Sequence, residues 1–105
     1  MADRGLLIVI SGPSGAGKGT ICSNIRGEMP NLVYSVSMTT REPRVGEKEG
    51  INYFFRTKEE FESLLSEDAF LEYAKVYDNY YGTPKQYVMN LLDEGKSVLL
   101  EIDIQ

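Results

Sequence analysis

The apolar residues of the chain follow two alternating periods. Residues 6–10 (LLIVI) form a continuous apolar run, which predicts a strand buried on both faces. Further along, Ile21, Cys22, Ile25 and Met29 recur at helical spacing, which predicts a helix that the following Pro-Asn pair ends. This alternation continues along the chain and predicts the α/β class.

The middle of the chain combines short strands with one polar segment. Residues 32–36 and 51–56 predict strands, and the second contains the aromatic strand formers. Residues 37–50 between them are polar and show no apolar periodicity, so we expect a functional loop or a loosely paired ribbon. Thr57 and Glu60 match a capping box, which predicts the start of a helix. The buried side of that helix would carry Phe61, Leu64 and Leu65.

The next part of the chain predicts a strand, a turn and a third helix. Residues 70–77 alternate apolar and polar side chains, which favours a strand with Glu72 on its solvent-facing side. Residues 79–82 predict a turn, and Thr83 is the expected N-cap of a helix that Gly95 ends. The buried face of that helix would carry Val88, Leu91 and Leu92.

The strongest chemical signal follows the first apolar run. Gly12, Gly17 and Lys18 match the G-x-x-x-x-G-K pattern of a phosphate-binding loop in the required strand–loop–helix context. Glycines let backbone N–H groups surround phosphate oxygens, and the lysine ammonium reaches the terminal phosphates. The loop predicted to hold phosphate comprises Gly12, Pro13, Ser14, Gly15, Ala16, Gly17, Lys18, Gly19 and Thr20.

A magnesium site is the expected companion of this loop. Gly19 stands where a hydroxyl residue usually binds Mg²⁺, so Thr20 would supply the hydroxyl one residue later. Residues 97–104 (SVLLEIDI) predict a second buried strand, in which Glu101 would order Mg²⁺ or its waters. Many buried strands end in a carboxylate at the surface, so this pattern alone is weak evidence for a metal site. Glu101 is assigned the role only because the phosphate-binding loop is predicted as well.

Composition restricts the classes of function. A chain of 105 residues with 42% hydrophobic content suits one domain and one core. The net charge of −5 argues against nucleic acid as the main partner. Without a signal-peptide layout or a membrane-length apolar run, we expect a cytoplasmic protein with no membrane contact. The single Cys22 is expected in the core, and the absence of histidine is compatible with phosphoryl transfer.

A family resemblance connects these segments. SGPSGAGKGT, SMTTREPRVGE, INYFF, FLEYAKVYDNYYGT and LLEIDIQ, in this order and spacing, resemble the N-terminal half of guanylate kinase. The TTREPRVGE and NYYGT segments are more specific than the phosphate loop. The implied fold is that of a P-loop nucleoside monophosphate kinase, with a parallel core sheet flanked by helices and a small mixed β/α GMP-binding subdomain. The implied segments are 1–36 for the loop part of the core, 37–84 for GMP binding and 85–105 for the return to the core.

The resemblance also implies an activity, namely transfer of the γ-phosphoryl group of ATP to GMP with Mg²⁺, which gives ADP and GDP. It assigns the loop to ATP and implies catalytic roles for Lys18, Arg41 and Arg44. The residues implied for the GMP phosphate are Arg41, Arg44, Tyr53 and Tyr81, and those implied for guanine are Ser37, Glu72, Thr83 and Asp103. Carboxylates suit the N–H donors of guanine, whereas the N1 acceptor of adenine would face them unfavourably. Thr83 replaces a frequent serine and Glu101 a frequent aspartate of the family.

Other interpretations stay open at this point. Guanylate kinases continue beyond the matching segment, with lid arginines, further strands and most of the adenine site. We therefore expect a truncated chain with little activity alone and an open sheet edge available for self-association. A guanylate-kinase-like interaction module would have an eroded phosphate loop, and adenylate or thymidylate kinases would share only that loop. Taken singly, the two arginines could be surface charges and the two tyrosines could be packing residues.

Overall fold

The computed structural model describes residues 4–12, 17–29 and 31–103. Strands and helices alternate along the chain, as predicted for the α/β class. The elements are β1 (Leu7–Gly12), α1 (Lys18–Glu28), β2 (Leu32–Tyr34), β3 (Met38–Thr39), β4 (Phe54–Phe55), α2 (Lys58–Ser66), β5 (Phe70–Val76), β6 (Asn79–Pro84), α3 (Lys85–Asp93) and β7 (Ser97–Asp103).

The chain divides into two compact units. The first comprises Met1–Ser35 together with Met89–Gln105, and the second comprises Val36–Val88. The length of the chain predicted a single core, whereas buried residues lie in both units.

The first unit contains a parallel sheet in the order β1-β7-β2. Val9 pairs with Leu100 on one side of β7, and Val33 pairs with Val98 on the other. The central position of β7 explains the burial of Val98, Leu99 and Leu100, which are at most 4% exposed. The predicted second buried strand is confirmed over the described residues.

Strand β1 is less buried than the sequence predicted. Leu6, Leu7 and Val9 are 64%, 41% and 49% exposed. Exposed and half-buried residues alternate along β1, which is typical of a strand with one covered face. The prediction of burial on both faces was therefore wrong for this strand.

Helix α1 contacts β1 and β7 through a narrow apolar side. Cys22 is fully buried, as predicted for a core residue, and Ile25 is half-buried. Ile21 is 48% exposed, so its predicted place on the buried side was wrong. The Met29 N–H donates to the Ile25 carbonyl at 3.0 Å, which closes the last turn.

Helix α3 ends as predicted and begins differently. Gly95 has a φ of 83°, and its N–H donates to the Leu92 carbonyl, while the next N–H donates to the Leu91 carbonyl. These two bonds form a Schellman motif, which needs a residue with positive φ. Thr83 is not the N-cap of this helix. It lies in β6, where it pairs with Glu72 of β5, and the helix begins at Lys85.

The second unit contains a mixed sheet in the order β4-β3-β6-β5. Strands β3 and β4 are parallel, whereas β6 pairs antiparallel with both β3 and β5. Residues 79–82 belong to β6, so the predicted turn there was wrong. The hairpin turn is instead Tyr77-Asp78, between the paired residues Val76 and Asn79, and Tyr77 has a φ of 56°.

An aromatic cluster packs helix α2 on the second sheet. The Phe61 ring stacks on Phe70 at 4.3 Å and on Tyr80 at 5.0 Å between ring centroids. Gly82 lies against this cluster, since a Cβ added there would be 2.8 Å from Phe70 Cδ1. The predicted buried role of Phe61 is confirmed, and Leu64 and Leu65 are partly buried beside it.

Both bonds of the predicted capping box are present at the start of α2. The Glu60 N–H donates to Thr57 Oγ1 at 3.1 Å, and the Thr57 N–H donates to Glu60 Oε1 at 2.8 Å. Among the described residues, we find no helix with the length and hydropathy needed to cross a membrane.

Candidate nucleotide-binding site

The predicted phosphate loop joins β1 to α1 in the first unit. Gly12 ends β1, and Gly17 precedes the first helical residue with a φ of 87°. A Cβ at Gly17 would meet no atom within 4 Å, so the backbone angle, not lack of space, favours glycine there. Residues 13–16, which carry four of the predicted contacts, lie outside the described residues.

The N-terminus of α1 has no side-chain cap in the described chain. No side chain hydrogen-bonds to it from the cap position, and its first turn contains no acidic residue. Its N–H groups and its positive dipole end are therefore suited to an anion. Lys18 and Gly19 begin the helix, and Thr20 lies exposed in the same turn.

Two of the predicted acidic residues lie on β7 beside this loop. The parallel register places Glu101 opposite Ile10 and Asp103 opposite Gly12, where β1 ends. Glu101 is exposed. The described part of the chain contains no group of three or more His, Cys, Asp or Glu residues able to hold a metal ion. The donor types of Thr20 and Glu101 suit Mg²⁺, because Mg²⁺ commonly binds one or two carboxylates together with phosphates and waters.

The second unit holds Arg41 in a two-pronged contact with Glu47. Arg41 Nη1 donates to Glu47 Oε1 at 2.7 Å, and Nη2 donates to Oε2 at 2.8 Å. Both side chains are mostly buried, at 10% and 19% exposure. The Arg41 hydrogen bonds, together with the N–H of Arg44, lower the pKa of Glu47 to about 2, and Glu47 raises the pKa of Arg41.

Arg44 lies in the same loop with an exposed side chain. Its N–H donates to Glu47 Oε1 at 2.8 Å, and its carbonyl accepts from the Glu47 N–H at 3.0 Å. These two bonds close a short turn through Gly46, which has a φ of 86°. The turn fixes the backbone of Arg44 beside Glu47.

Two tyrosine rings lie next to Arg41, one after the other. The Arg41 guanidinium carbon lies 4.9 Å from the Tyr53 ring centroid, and Tyr53 meets Tyr81 edge-on at 6.1 Å. Both tyrosines are half-buried. Three of the four residues predicted for the GMP phosphate are therefore brought together.

Glu72 and Thr83 form the other end of this row. The Thr83 hydroxyl donates to Glu72 Oε1 at 2.6 Å, and the two residues pair across β5 and β6. Thr83 is fully buried and Glu72 half-buried, whereas Leu71 and Tyr73 are 39% and 57% exposed. The prediction that Glu72 lies on the wet face was wrong, because its hydrogen bond to Thr83 places it on the more covered side.

The strand register puts Glu72, Thr83 and Tyr81 on one face of the second sheet, and the ring contacts add Tyr53 and Arg41. Thr83 and Tyr81 are two positions apart on β6 and therefore project from the same side. Such residues are about 6.6 Å apart along a strand, as two rises of about 3.3 Å. Glu72, Thr83, Tyr81, Tyr53 and Arg41 thus form one row, which we call the acid-to-arginine row.

The remaining two residues predicted for guanine are Ser37 and Asp103. Ser37 is half-buried and its carbonyl accepts from the Phe54 N–H at 2.8 Å, which connects it to β4. Asp103 belongs to the first unit, where its backbone pairs with Gly12. Their predicted contacts with guanine stay predictions.

A cavity of about 410 Å³ opens in the second unit, lined by Thr40, Arg41, Glu42, Pro43, Phe55, Arg56, Thr57, Lys58 and Glu60. Of the predicted site residues, only Arg41 belongs to its wall. The cavity therefore differs from the acid-to-arginine row, and the row follows the predicted GMP contacts more closely.

The sequence analysis missed Glu47 and Thr39. The Thr39 hydroxyl donates to the Tyr80 carbonyl at 2.9 Å and accepts from the Arg41 N–H at 3.4 Å, from a fully buried position. Glu47 lies within the TTREPRVGE segment that carried the resemblance. A carboxylate three residues after an arginine is common in loops, so the sequence alone did not single out Glu47. Its contact with the Arg41 guanidinium is seen only in the folded structure.

Comparisons with known proteins identify the family of the chain. The sequence model of the guanylate kinase family matches residues 4–105. Guanylate kinase from Caldanaerobacter subterraneus is 63% identical over 102 residues, which cover 97% of this chain and 50% of that protein. Guanylate kinase from Clostridium perfringens is 64% identical over 103 residues, which cover 98% of this chain and 48% of that protein.

A solved structure gives the same result. The crystal structure of guanylate kinase from Anaplasma phagocytophilum superposes with a TM-score of 0.69 at 39% identity, over 98% of this chain and 50% of that one. The chain spans about half the length of the curated relatives it matches. By its sequence and by its fold, this chain belongs to the guanylate kinase family.

Proposed function

We propose that this chain carries the ATP-phosphate and GMP sites of an enzyme that transfers the γ-phosphoryl group of ATP to GMP. The observation that carries the proposal is the acid-to-arginine row in the second unit, which has a carboxylate at one end and a guanidinium at the other. GMP has the matching polarity, since its base offers N–H donors and its phosphate is an anion. We place the reaction in the cytoplasm, where both nucleotides are present.

Glu72 would recognise guanine in this proposal. The Thr83 hydroxyl donates to Oε1, which fixes the carboxylate and leaves Oε2 as an acceptor for guanine N–H groups. Adenine would present the N1 lone pair to the same carboxylate, which is unfavourable. Thr83 therefore orients the acid, in addition to any contact of its own with the base.

Arg41 and Arg44 would bind the GMP phosphate, with Tyr53 and Tyr81 beside them. Guanidinium groups suit this role because their planar set of donors matches two phosphate oxygens. As phosphoryl transfer depends mostly on positioning and charge stabilisation, the same arginines would keep the acceptor oxygen in place during the reaction.

ATP would be held by the phosphate loop and the open N-terminus of α1. Lys18 would neutralise the terminal phosphates, and Thr20 and Glu101 would hold Mg²⁺ or its waters. Mg²⁺, when bound with ATP, supplies further neutralisation of the phosphate charge.

Calorimetry with GMP and AMP tests the base assignment. We expect GMP to bind more tightly than AMP, and Glu72→Gln to weaken GMP by about 1.5–3 kcal/mol, the scale of hydrogen bonds to a charged group. Glu59→Gln, an exposed acid on α2, is the matched control. Equal affinity for GMP and AMP in the wild-type chain would overturn the proposal.

Two further variants separate the phosphate sites. Lys18→Ala should abolish turnover with little effect on GMP affinity, whereas Arg44→Ala should weaken GMP selectively. Turnover is measured as ADP release from ATP, Mg²⁺ and GMP, on this chain and on a chimera extended with the second half of the Clostridium perfringens relative. If both changes reduce GMP affinity equally, the division into two phosphate sites is wrong.

We also propose that the chain self-associates through the open side of β1. Exposed Leu7 and Val9 on a strand paired on one side in the described sheet support this proposal. Sedimentation over a range of protein concentrations tests it, with Val9→Lys as the variant that should remain monomeric.

A further inference from the structure

One carboxylate links the backbone of Arg44 to the side chain of Arg41. Glu47 Oε1 accepts from the Arg44 N–H and from Arg41 Nη1, while Oε2 accepts from Arg41 Nη2. The Glu47 N–H in turn donates to the Arg44 carbonyl. The turn therefore holds Glu47 in place independently of its contact with Arg41.

This contact determines which edge of the Arg41 guanidinium is engaged. The group has five N–H donors. Nη1 donates to Glu47 and to the Glu42 carbonyl at 3.0 Å, and Nη2 gives one hydrogen to Glu47. The second Nη2 hydrogen and the Nε hydrogen lie on the adjacent edge, which is also a two-donor fork suited to phosphate. Tyr53, which also interacts with the guanidinium, would share the phosphate with this edge.

The plane of the guanidinium is also fixed. Its central carbon lies 4.9 Å from the centroid of the Tyr53 ring, and Tyr53 contacts Tyr81. With one edge bound to Glu47 and one face on Tyr53, Arg41 has little freedom to rotate, as its 10% exposure also indicates. A pre-oriented donor loses less side-chain entropy on binding an anion.

We propose that Glu47 is the positioning residue that presents the Nε–Nη2 edge of Arg41 to the phosphate of the acceptor nucleotide. This inference rests on the proposed function, since it names how one residue of that site is held. Glu47 itself does not touch the nucleotide. Its effect passes through Arg41.

Charge alone predicts the opposite result. Glu47 is an anion close to the expected phosphate, so its neutralisation would strengthen phosphate binding if only the field mattered. If orientation dominates, neutralisation of Glu47 weakens phosphate binding, because Arg41 loses one of its two hydrogen bonds to the Glu47 carboxylate. The sign of the change therefore separates positioning from simple electrostatics.

The test compares GMP with guanosine, which lacks the phosphate. Calorimetry gives the ratio of the two dissociation constants, guanosine over GMP, for the wild-type chain and for Glu47→Gln. We expect this ratio to fall by about 10-fold in the variant, the scale of one charge-assisted hydrogen bond. Because both ligands are measured on one sample, a loss of folded protein affects both and leaves the ratio unchanged.

Glu49 provides the matched control in the same loop. It accepts from the Phe55 N–H at 2.8 Å and from Arg56 Nη1 at 2.9 Å, so it has the same kinds of partner as Glu47. Glu49→Gln should reduce stability and leave the ratio of dissociation constants within about 2-fold of wild type. An equal fall in both variants would show that the effect is structural and would overturn the inference.

A double-mutant cycle tests whether Glu47 acts through Arg41. In the Arg41→Lys background, where the two-pronged contact cannot form, Glu47→Gln should change the ratio by less than about 2-fold. A full-sized effect in that background would overturn the inference. If Glu47→Gln does not fold, Glu47→Asp, whose shorter side chain cannot reach both nitrogens, replaces it with the same expected fall.

The remaining outcomes separate this inference from the proposed function. An unchanged or increased ratio in Glu47→Gln, with tight GMP binding by the wild type, would overturn the positioning role alone. If the wild type binds GMP no better than guanosine, the proposed phosphate site is wrong, and the inference is overturned with it.

Discussion

The first turns of α1 and α2 are completed in opposite ways. Helix α2 begins at Lys58 with a capping box and has Glu59 and Glu60 in its first turn. Helix α1 begins after Gly17 with no side-chain cap and no acidic residue in its first turn, within the described chain. The second helix therefore satisfies N–H groups of its first turn with its own side chains, whereas the cap residue of the first helix provides no side chain for them, which suits the proposed binding of an anion.

We expect the largest effect from a substitution that adds a carboxylate at the start of α1, where α2 already has acidic residues. Gly17→Asp keeps a residue type that tolerates positive φ and adds a carboxylate at the phosphate position. Calorimetry should show a loss of about 3 kcal/mol in pyrophosphate or ATP affinity, from repulsion between like charges.

Gly50→Asp is the control for this change. Gly50 also has a positive φ, 76° against 87° at Gly17, and a Cβ there would lie at an ordinary contact distance of 3.9 Å from Phe54 Cε1. The control should leave pyrophosphate affinity unchanged. Equal losses in the two variants would mean that the start of α1 is not the phosphate site.

The second effect addresses the packing that holds α2. Gly82→Ala places a Cβ 2.8 Å from Phe70 Cδ1 and 3.0 Å from Phe61 Cζ, so the rings must shift. We expect a loss of about 2 kcal/mol in the free energy of unfolding, measured in urea. Gly27→Ala on α1 meets no atom within 4 Å and should stabilise by about 0.5–1 kcal/mol. Equal changes would contradict the packing argument.

The third effect removes the cap of α2. Thr57→Ala deletes the oxygen that accepts from the Glu60 N–H and should cost about 1 kcal/mol of stability. Thr57→Ser keeps the oxygen and should be near neutral. Amide exchange should be faster at the start of α2 and unchanged in α1, and a uniform change along the chain would argue against a local cap.

The smallest effect is the acid sensitivity of that cap. Hydrogen bonds from the Thr57 backbone and side chain lower the pKa of Glu60 below its usual 4.5. A carboxyl with a lowered pKa contributes stability above its usual pKa and loses it as the pH falls through the lowered pKa. Urea unfolding from pH 5.5 to 2.5 should therefore depend less on pH in Glu60→Gln than in the wild type or in Glu59→Gln. The same dependence in all three would mean that Glu60 does not contribute.

Elements fixed by short-range chemistry could be predicted from the sequence. The capping box of α2 and the Schellman ending at Gly95 depend on residues within a few positions, and both are present. The burial of β7 was also predicted, from its continuous apolar run. The phosphate loop is of the same kind, because glycines mark backbone angles and spacing. Its residues Gly12 and Gly17 lie where the pattern places them, between β1 and α1.

Features that depend on distant partners were missed or placed wrongly. Alternation put Glu72 on a solvent face, but the buried Thr83 on the neighbouring strand holds its carboxylate. The side chain of Glu47 is charged like many in loops, and only the fold brings it to Arg41. The exposure of Leu7 and Val9 depends on what packs on their face of the sheet, which an apolar run cannot specify.

The central position of β7 has a consequence for the order of folding. Leu6 donates to Ser97 Oγ across 91 positions of sequence, so β1 has no partner in its sheet until β7 has been synthesised. The second unit is one continuous stretch, Val36–Val88, and its hairpin closes through two residues. Local pairings of this kind form within about 1–10 μs, whereas distant parallel pairings are slow. During synthesis, we therefore expect the β5–β6 hairpin of the second unit to form before the sheet of the first unit, whose central strand is β7.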